Sequence, residues 1–410
     1  MAALEDVARV INGGTPKTKV SEYWGGPHLW ITPAEMGGLL KPYLRDSRRS
    51  LTDEGLAHSS ASLLPPKSVI LSTRAPIGHL VINEKPMAFN QGCRGIVPGE
   101  GLHHKFLYYW LLSNVKRLDD LGSGTTFKEL AAGKLKKFPI PTPPLRQQRR
   151  IVAILGEAFA GIEQAIANTE KNLDNAREVF SSNLNATFSE APDSWALLRL
   201  DELCSIKHGF AFKSQYFSET GHYVLLTPGS FWEQGGFRDQ GVKTKYYTGE
   251  IPKDFLLDRG EFLIAMTEQA KGLLGSSLVV PESDRFLHNQ RLGRVLVRDG
   301  VQWHNDFFFH QFNTNAFRTA VQATASGVKV RHTSPKKLGE ILVKYPSKLH
   351  EQAAVAKYLN QMKGEIVKLE HLYARKLNGL GELKQSLLQK AFSGELTADD
   401  TDREVESATA

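Results

Sequence analysis

Two stretches of the chain carry apolar residues at alternating steps of three and four. In the first, Ile151, Leu155, Ala158, Ile162, Ala165 with Ile166, Thr169, Leu173, Ala176, Phe180 and Leu184 keep the spacing unbroken. In the second, Val355, Leu359, Met362, Ile366, Leu369, Tyr373, Leu377, Leu380, Leu383 and Leu387 do the same. A seam held over so many heptads predicts long helices paired in a coiled coil. The segments outside them read differently. Short apolar runs, SVILSTR (68–74), EFLIAMT (261–267) and GRVLVRD (293–299), are rich in β-branched residues and fenced by Gly and Pro. They predict short strands. Apolar patches at 105–121 and 306–323 predict helices among those strands. The expected class is α+β.

The order of these elements repeats. Leu145, Gln148 and Leu155 match Leu349, Gln352 and Leu359 at a constant shift of 204 residues. The shift persists through Ile162 and Ile366, Leu173 and Leu377, Leu184 and Leu388, and ends at Phe188-Ser189 against Phe392-Ser393. The globular segments repeat more loosely. LEDVARVINGG (4–14) matches LDELCSIKHGF (200–210), FNQGCRGIVP (89–98) matches LHNQRLGRVLV (287–297), and SGTTFKELAAGKLKKFPI (123–140) matches SGVKVRHTSPKKLGEILV (326–343). The chain is an internal duplication. The expected division is a globular unit at 1–144, a helix at 145–190, a second globular unit at 191–348, a second helix at 349–396, and a frayed acidic tail at 397–410. Helix two must return along helix one, so the pairing is expected to be antiparallel, with a pseudo-twofold axis and a dumbbell outline. At about 1.5 Å per residue each helix is roughly 60–68 Å long.

Charge adds a direction. The net charge of the 410 residues is +7. Residues 1–144 hold 18 Lys and Arg against 12 Asp and Glu, and 191–348 hold 20 against 16, whereas 145–190 and 349–410 (the second helix with its acidic tail) are slightly acidic. Two basic units joined by neutral rods fit two surfaces facing a polyanion. No stretch approaches eighteen uncharged apolar residues, and the N-terminus has no apolar leader core, so neither a membrane span nor a secretory signal is expected and the expected compartment is the cytoplasm. Cys93 and Cys204 stand far apart in sequence and suggest no disulfide framework or metal site. There is no Asn/Asp-Pro-Pro-aromatic tetrapeptide, no GxxxxGK[ST] and no HExxH. Gly122-Ser123-Gly124 reads as a turn, and His103-His104 as a surface pair. Catalysis is not expected of this chain.

WITPAEMGG (30–38), LSTRAPIGHLVI (71–82), FNQGCRGIVP (89–98), GSGTTFKEL (122–130), FPIPTPPLRQQRRIVAIL (138–155) and SLLQKAFSGELT (386–397) together resemble the specificity (S) subunits of type I restriction-modification systems. The resemblance covers nearly the whole chain. It implies two target recognition domains, each reading one half of a split double-stranded DNA site. It implies that the helices set the spacing and dock two methyltransferase (M) subunits, with restriction (R) subunits joining. S-adenosylmethionine is then expected on the M subunits, ATP and Mg on the R subunits, and no cofactor in this chain. The second domain departs from the pattern: STRAPIG becomes AMTEQAKGLLG, which contains Lys271, and GGTPKTK becomes GFAFKSQ. Such variation implies a different half-site. A coiled-coil adaptor with basic nucleic-acid-binding domains is the alternative from another class, and a free-standing nuclease or methyltransferase is disfavoured by the missing motifs.

Residue chemistry selects candidate DNA contacts. Lys17 and Lys19 lie on a Gly-rich turn expected to be mobile and suited to phosphate oxygens, and Lys213 with Ser214 is its counterpart. Arg74 suits a bidentate contact to guanine or, equally, an ion pair within its domain. Asn90 with Gln91, and Asn289 with Gln290, offer amides for adenine, although recurrence in both domains favours a structural role. Thr125, Thr126 and Lys128 stand in register with Lys329, Arg331 and His332 after the two SG turns. Lys134, Lys136, Lys137, Lys336 and Lys337 suit phosphates or a solvated face. Thr169 is a candidate for fixing helix register, and Arg146, Arg149 and Arg150 for meeting M subunits or phosphates.

Overall fold

A computed structural model describes residues 1–39, 41–124, 128–269 and 272–396. Its contacts divide the chain into two units. One holds residues 1–169 with the chain from 375 onward, and the other holds 170–374, so each long helix is shared between them.

In the first unit the β-branched runs become a five-stranded sheet in the order Ala8–Asn12, Cys93–Pro98, Val69–Thr73, Ile77–Asn83, Tyr43–Leu44. Its first four strands are antiparallel. Val69–Thr73 is buried along its whole length, as expected of a central strand covered on both faces. Trp24–Ile31 forms a smaller sheet with Arg49–Leu51 and Met87–Phe89. The patch at 105–121 folds as His104–Ser113 and Val115–Asp120. Ala2–Ala3 and Pro139–Ile140 close the unit at its base.

The second unit repeats this plan. Cys204–His208, Leu292–Val297, Phe262–Ala265 and Ser277–Val279 form the matching antiparallel sheet. Ala196–Arg199 pairs with Leu342–Tyr345 at the base, and Asn305–Phe312 with Asn315–Ala323 are the matching helices. The second sheet is more elaborate, with five short strands built around Tyr223–Leu225 and Phe286–Leu287.

The long helices run over Leu145–Ser189 and Leu349–Ser393. Within each unit their halves lie side by side and antiparallel. In the first, Ile151, Leu155, Phe159 and Ile162 join one buried core with Leu388 and Ala391. In the second, Leu184 and Phe188 join Ala356 and Leu359. An ion pair crosses each seam, Glu163 with Lys384 at 3.9 Å and Arg177 with Glu370 at 2.7 Å.

Two seam expectations are corrected. Leu383 is 46% exposed, and Leu380, Leu387 and Leu388 take the inner face. A helix of 3.6 residues per turn drifts away from a strict 3.5 repeat, and here it turns Leu383 outward. Thr169 is buried, but its hydroxyl donates to the Ala165 carbonyl at 2.6 Å, within its own helix, and fixes no register. One window of the first long helix is apolar enough by length and composition to cross a membrane. Its apolar positions are those that pack into the domain core.

Gln148 and Gln352 seat the helices identically. Gln148 Oε1 accepts from the His103 N–H at 2.8 Å, and its amide donates to the carbonyls of Gly101 (2.9 Å) and Pro143 (2.8 Å). Gln352 Oε1 accepts from the His304 N–H at 2.8 Å, and its amide donates to Gln302 (3.0 Å) and Pro346 (2.8 Å). Both side chains are fully buried.

Candidate nucleic-acid interface

Three segments distant in sequence meet at one edge of the first domain. The turn 13–19 is held against the turn 90–92. Gly14 N–H donates to the Phe89 carbonyl at 2.9 Å, Thr15 donates to Gln91 Oε1, and Trp30 Nε1 donates to the Gly14 carbonyl at 3.0 Å. A Cβ on Gly13 would stand 1.9 Å from the Asn90 carbonyl oxygen. Only glycine permits that approach. The expectation of a mobile turn is therefore corrected at its base, because Gly13 and Gly14 are buried and Gly14 is bonded through both its N–H and its carbonyl, while Lys17 and Lys19 are exposed.

The end of the central strand joins the third segment. Thr73 N–H donates to the Gly92 carbonyl at 2.8 Å, and its own carbonyl accepts from the Leu130 N–H at 2.9 Å. Ser123 and Glu129 exchange backbone bonds at 3.0 and 2.9 Å, closing the loop after the SG turn. Arg74 lies opposite Glu129, with guanidinium and carboxylate 3.9 Å apart and both partly exposed.

The second domain builds the same edge with other side chains. Phe210 N–H donates to the His288 carbonyl (2.8 Å), and Gln290 N–H to the Phe210 carbonyl (3.0 Å). A Cβ on Gly209 would stand 2.1 Å from the Asn289 carbonyl oxygen. Met266 takes the place of Thr73, with its N–H on the Arg291 carbonyl and its carbonyl accepting from Thr333, both at 3.0 Å. Ser326 and His332 close the 326–332 turn as Ser123 and Glu129 do. Lys134 Nζ donates to the Leu121 carbonyl at 2.9 Å, and Lys337 Nζ to the Thr324 carbonyl at 2.8 Å.

These contacts sort the candidates. Asn90 Oδ1 accepts from the Gly92 N–H at 2.9 Å, and Asn289 Oδ1 from the Arg291 N–H at 3.0 Å. A bidentate adenine contact uses that oxygen, and in this structure both asparagines spend it on shaping their turns. Gln91 and Gln290 are both exposed, and Gln91 accepts from the Thr15 hydroxyl. Lys128 Nζ is 2.6 Å from Asp119. Arg331 is held by Glu268 at 3.3 Å and by Gln322. His332 meets Ser326 Oγ at 3.2 Å through Nε2. Lys213 and Lys329 are exposed, as are Lys17 and Lys19. Thr125, Thr126 and Lys271, with the tail 397–410, lie outside the described residues.

Sequence reasoning missed the residues that fasten the edge. Arg94 donates to the Gln91 and Cys93 carbonyls at 3.0 and 2.9 Å and reaches Glu129 at 3.4 Å. Glu268, Gln322 and Arg318 do comparable work in the second domain. The available signal was a charge of opposite sign at neighbouring offsets of the two repeats. His103 and His104 are stacked, and His104 Nε2 lies 3.0 Å from the Tyr43 hydroxyl, so they are half-buried and not a surface pair. Burial pushes the Cys93 and Cys204 thiols up to about 12, which keeps them protonated and inert. Among the described residues no group of three or more His, Cys, Asp or Glu is placed to hold a metal ion.

The family model for the type I restriction modification DNA specificity domain matches residues 1–171 and again 192–375. The chain belongs to this family. The two matches of this specificity-domain chain fall on the two halves of its duplication. It is 30% identical over 225 residues to the type I restriction enzyme MjaIX specificity subunit of Methanocaldococcus jannaschii, covering 50% of this chain and 51% of that one. It is 26% identical over 229 residues to the EcoBI specificity subunit of Escherichia coli, covering 55% and 44%. The chain thus spans about half the length of these curated relatives. A longer match, 21% over 379 residues, is to the MjaVIII specificity subunit of M. jannaschii, covering 87% and 84%. Two solved structures share the fold at 17% identity. One is a chain from a type I R-M system studied for complex assembly and conformational transition (TM-score 0.74, covering 95% of this chain and 96% of that one). The other is the HsdS subunit of Thermoanaerobacter tengcongensis (TM-score 0.56, covering 96% of each).

Proposed function

We propose that this specificity-domain chain is the non-catalytic, sequence-specific DNA-binding subunit of a type I restriction-modification complex, working in the cytoplasm. One observation carries the reading. The two domains keep the same backbone ties, Gly13 on Asn90 and Gly209 on Asn289, Thr73 and Met266 each bridging two turns, yet present different side chains beyond them. A common scaffold with divergent tips is what reading two unlike half-sites requires, since phosphate contacts position a protein and base contacts specify. Lys17 and Lys19 in one domain, and Lys213 and Lys329 in the other, supply exposed cations for the backbone. The long helices act as the ruler and as the docking surface for two M subunits. Those carry S-adenosylmethionine, and R subunits bring ATP and Mg. Two specified blocks of about 3–5 base pairs with roughly 5–8 unread pairs between them are expected.

The test is single-molecule methylation mapping of DNA from cells expressing this chain with its methyltransferase partner. A split motif with methylated adenine in both blocks supports the reading and gives the target. A continuous motif, or none, overturns it in favour of a nucleic-acid-binding adaptor.

A further inference from the structure

In each domain a short antiparallel pairing joins the hairpin that follows the central strand to the loop before the base. Its register is shared. Arg74 stands opposite Glu129 in the first domain, and Thr267 opposite His332 in the second. The next pair in the second domain is Glu268 opposite Arg331. By the same register their first-domain counterparts are Ala75 and Lys128. Ala75 carries no charge, and Lys128 turns instead to Asp119.

The polarity of the join is thereby reversed. In the first domain the hairpin supplies the cation, Arg74, and the loop the anion, Glu129, which Arg94 also reaches. In the second the hairpin supplies the anion and the loop the cation. Glu268 is 2% exposed. Its Oε2 accepts from the N–H groups of Gly272 (3.0 Å), Leu273 (3.1 Å) and Leu274 (2.9 Å). Its Oε1 accepts from Arg331 (3.3 Å) and the Gln322 amide (3.2 Å). Arg331 also donates to the Gln322 carbonyl at 3.0 Å. Arg318 braces the same turn, donating to the carbonyls of Gly272 and Glu233. A buried carboxylate with this many donors is a costly device for stability alone, since an apolar core of the same shape does as well. What it supplies is one fixed geometry for two loops.

We propose that Glu268, joined to Arg331, is the positioning residue that fixes the reading turns of the second domain. The charge pair of the second domain thus lies one register position from that of the first and has the opposite polarity. The inference rests on the DNA-reading function proposed above. Arg331 then acts through Glu268 rather than by touching DNA.

The test is a double-mutant cycle in the full chain, assembled with its methyltransferase partner, on DNA carrying the motif mapped for the native complex. The variants are E268Q, R331Q and both together. R331Q leaves Glu268 its three N–H donors and the Gln322 amide, so the carboxylate stays bonded and the domain folds. The readout is discrimination, the ratio of dissociation constants for the native site and for sites with one base pair changed in either block.

Each single variant should lower discrimination about tenfold in one block only, a loss of the size of one good base contact. The double variant should lose about tenfold rather than a hundredfold, because coupled residues are not additive. The slope of log affinity against log salt should stay unchanged, whereas loss of a phosphate contact reduces it by about one. Additive losses, equal losses in both blocks, or a reduced salt slope for R331Q alone overturn the inference. So does a native two-block motif that all three variants read as before. A native complex with no two-block motif overturns the underlying function, and this inference with it.

Discussion

At the scale of single residues, buried polar groups define the chain more sharply than its apolar core. Gln148 satisfies one N–H and two carbonyls where helix and domain meet. Gln148→Leu keeps the volume but strands all three, and each stranded buried group costs about 1–3 kcal/mol. A loss of at least about 3 kcal/mol in urea unfolding is expected, with Gln352→Leu equivalent in the second domain. A loss under 1 kcal/mol would show that water replaces the glutamine. Burial also lowers His288 and His310 to about 4, so both are neutral in the fold. The unfolded chain takes up protons on them first as pH falls. Their contribution to stability is full above about pH 6.5 and falls by up to about 1.4 kcal/mol per pH unit for each histidine down to pH 4. Unfolding midpoints at pH 7.5, 6 and 5 measure this slope, and His310→Gln should flatten it by one histidine's share.

At the scale of elements, the helical seams are held by packing and only trimmed by charge. Leu155 and Leu359 are fully buried in their respective seams. Truncating either to Ala should cost about 2–5 kcal/mol. Glu370→Gln, which breaks the half-exposed pair with Arg177, should cost under about 1 kcal/mol. Thermal unfolding of the two variants separates these cases, and a large loss at Glu370 would show charge, not packing, setting the register. The seam was legible in the sequence because a periodic face is a local property, and Leu383 failed only because the stripe drifts. The duplication was legible for the same reason, and Gln148 with Gln352 stood out as identical positions. The proposed reading edge was half legible. Its lysines announce themselves by type, but that Asn90 is committed to the Gly92 N–H depends on a turn no spacing rule describes. That Glu268 lies inside the domain depends on Gly272, Gln322 and Arg331 arriving from three segments.

At the scale of the whole molecule, the repeated plan makes each proposed reading edge a module answerable to its own domain. Among the described residues the edge of the first domain is tied to residues of that domain: Thr73 to Gly92 and Leu130, Arg94 to Gln91 and Glu129. What that domain shares with the helices lies elsewhere, where Phe106 and Trp110 pack on Phe392, Tyr109 on Phe159, and the His103 N–H on Gln148. A graft that replaces 1–144 with the corresponding segment of another family member should therefore fold if it keeps aromatic residues at the positions of Phe106, Tyr109 and Trp110. It should change one block of the methylated motif and leave the other block intact. Methylation mapping of cells expressing the graft measures both at once. Alteration of the untouched block would mean that reading is shared between the domains, and the ties seen within each edge would then be insufficient to specify a half-site.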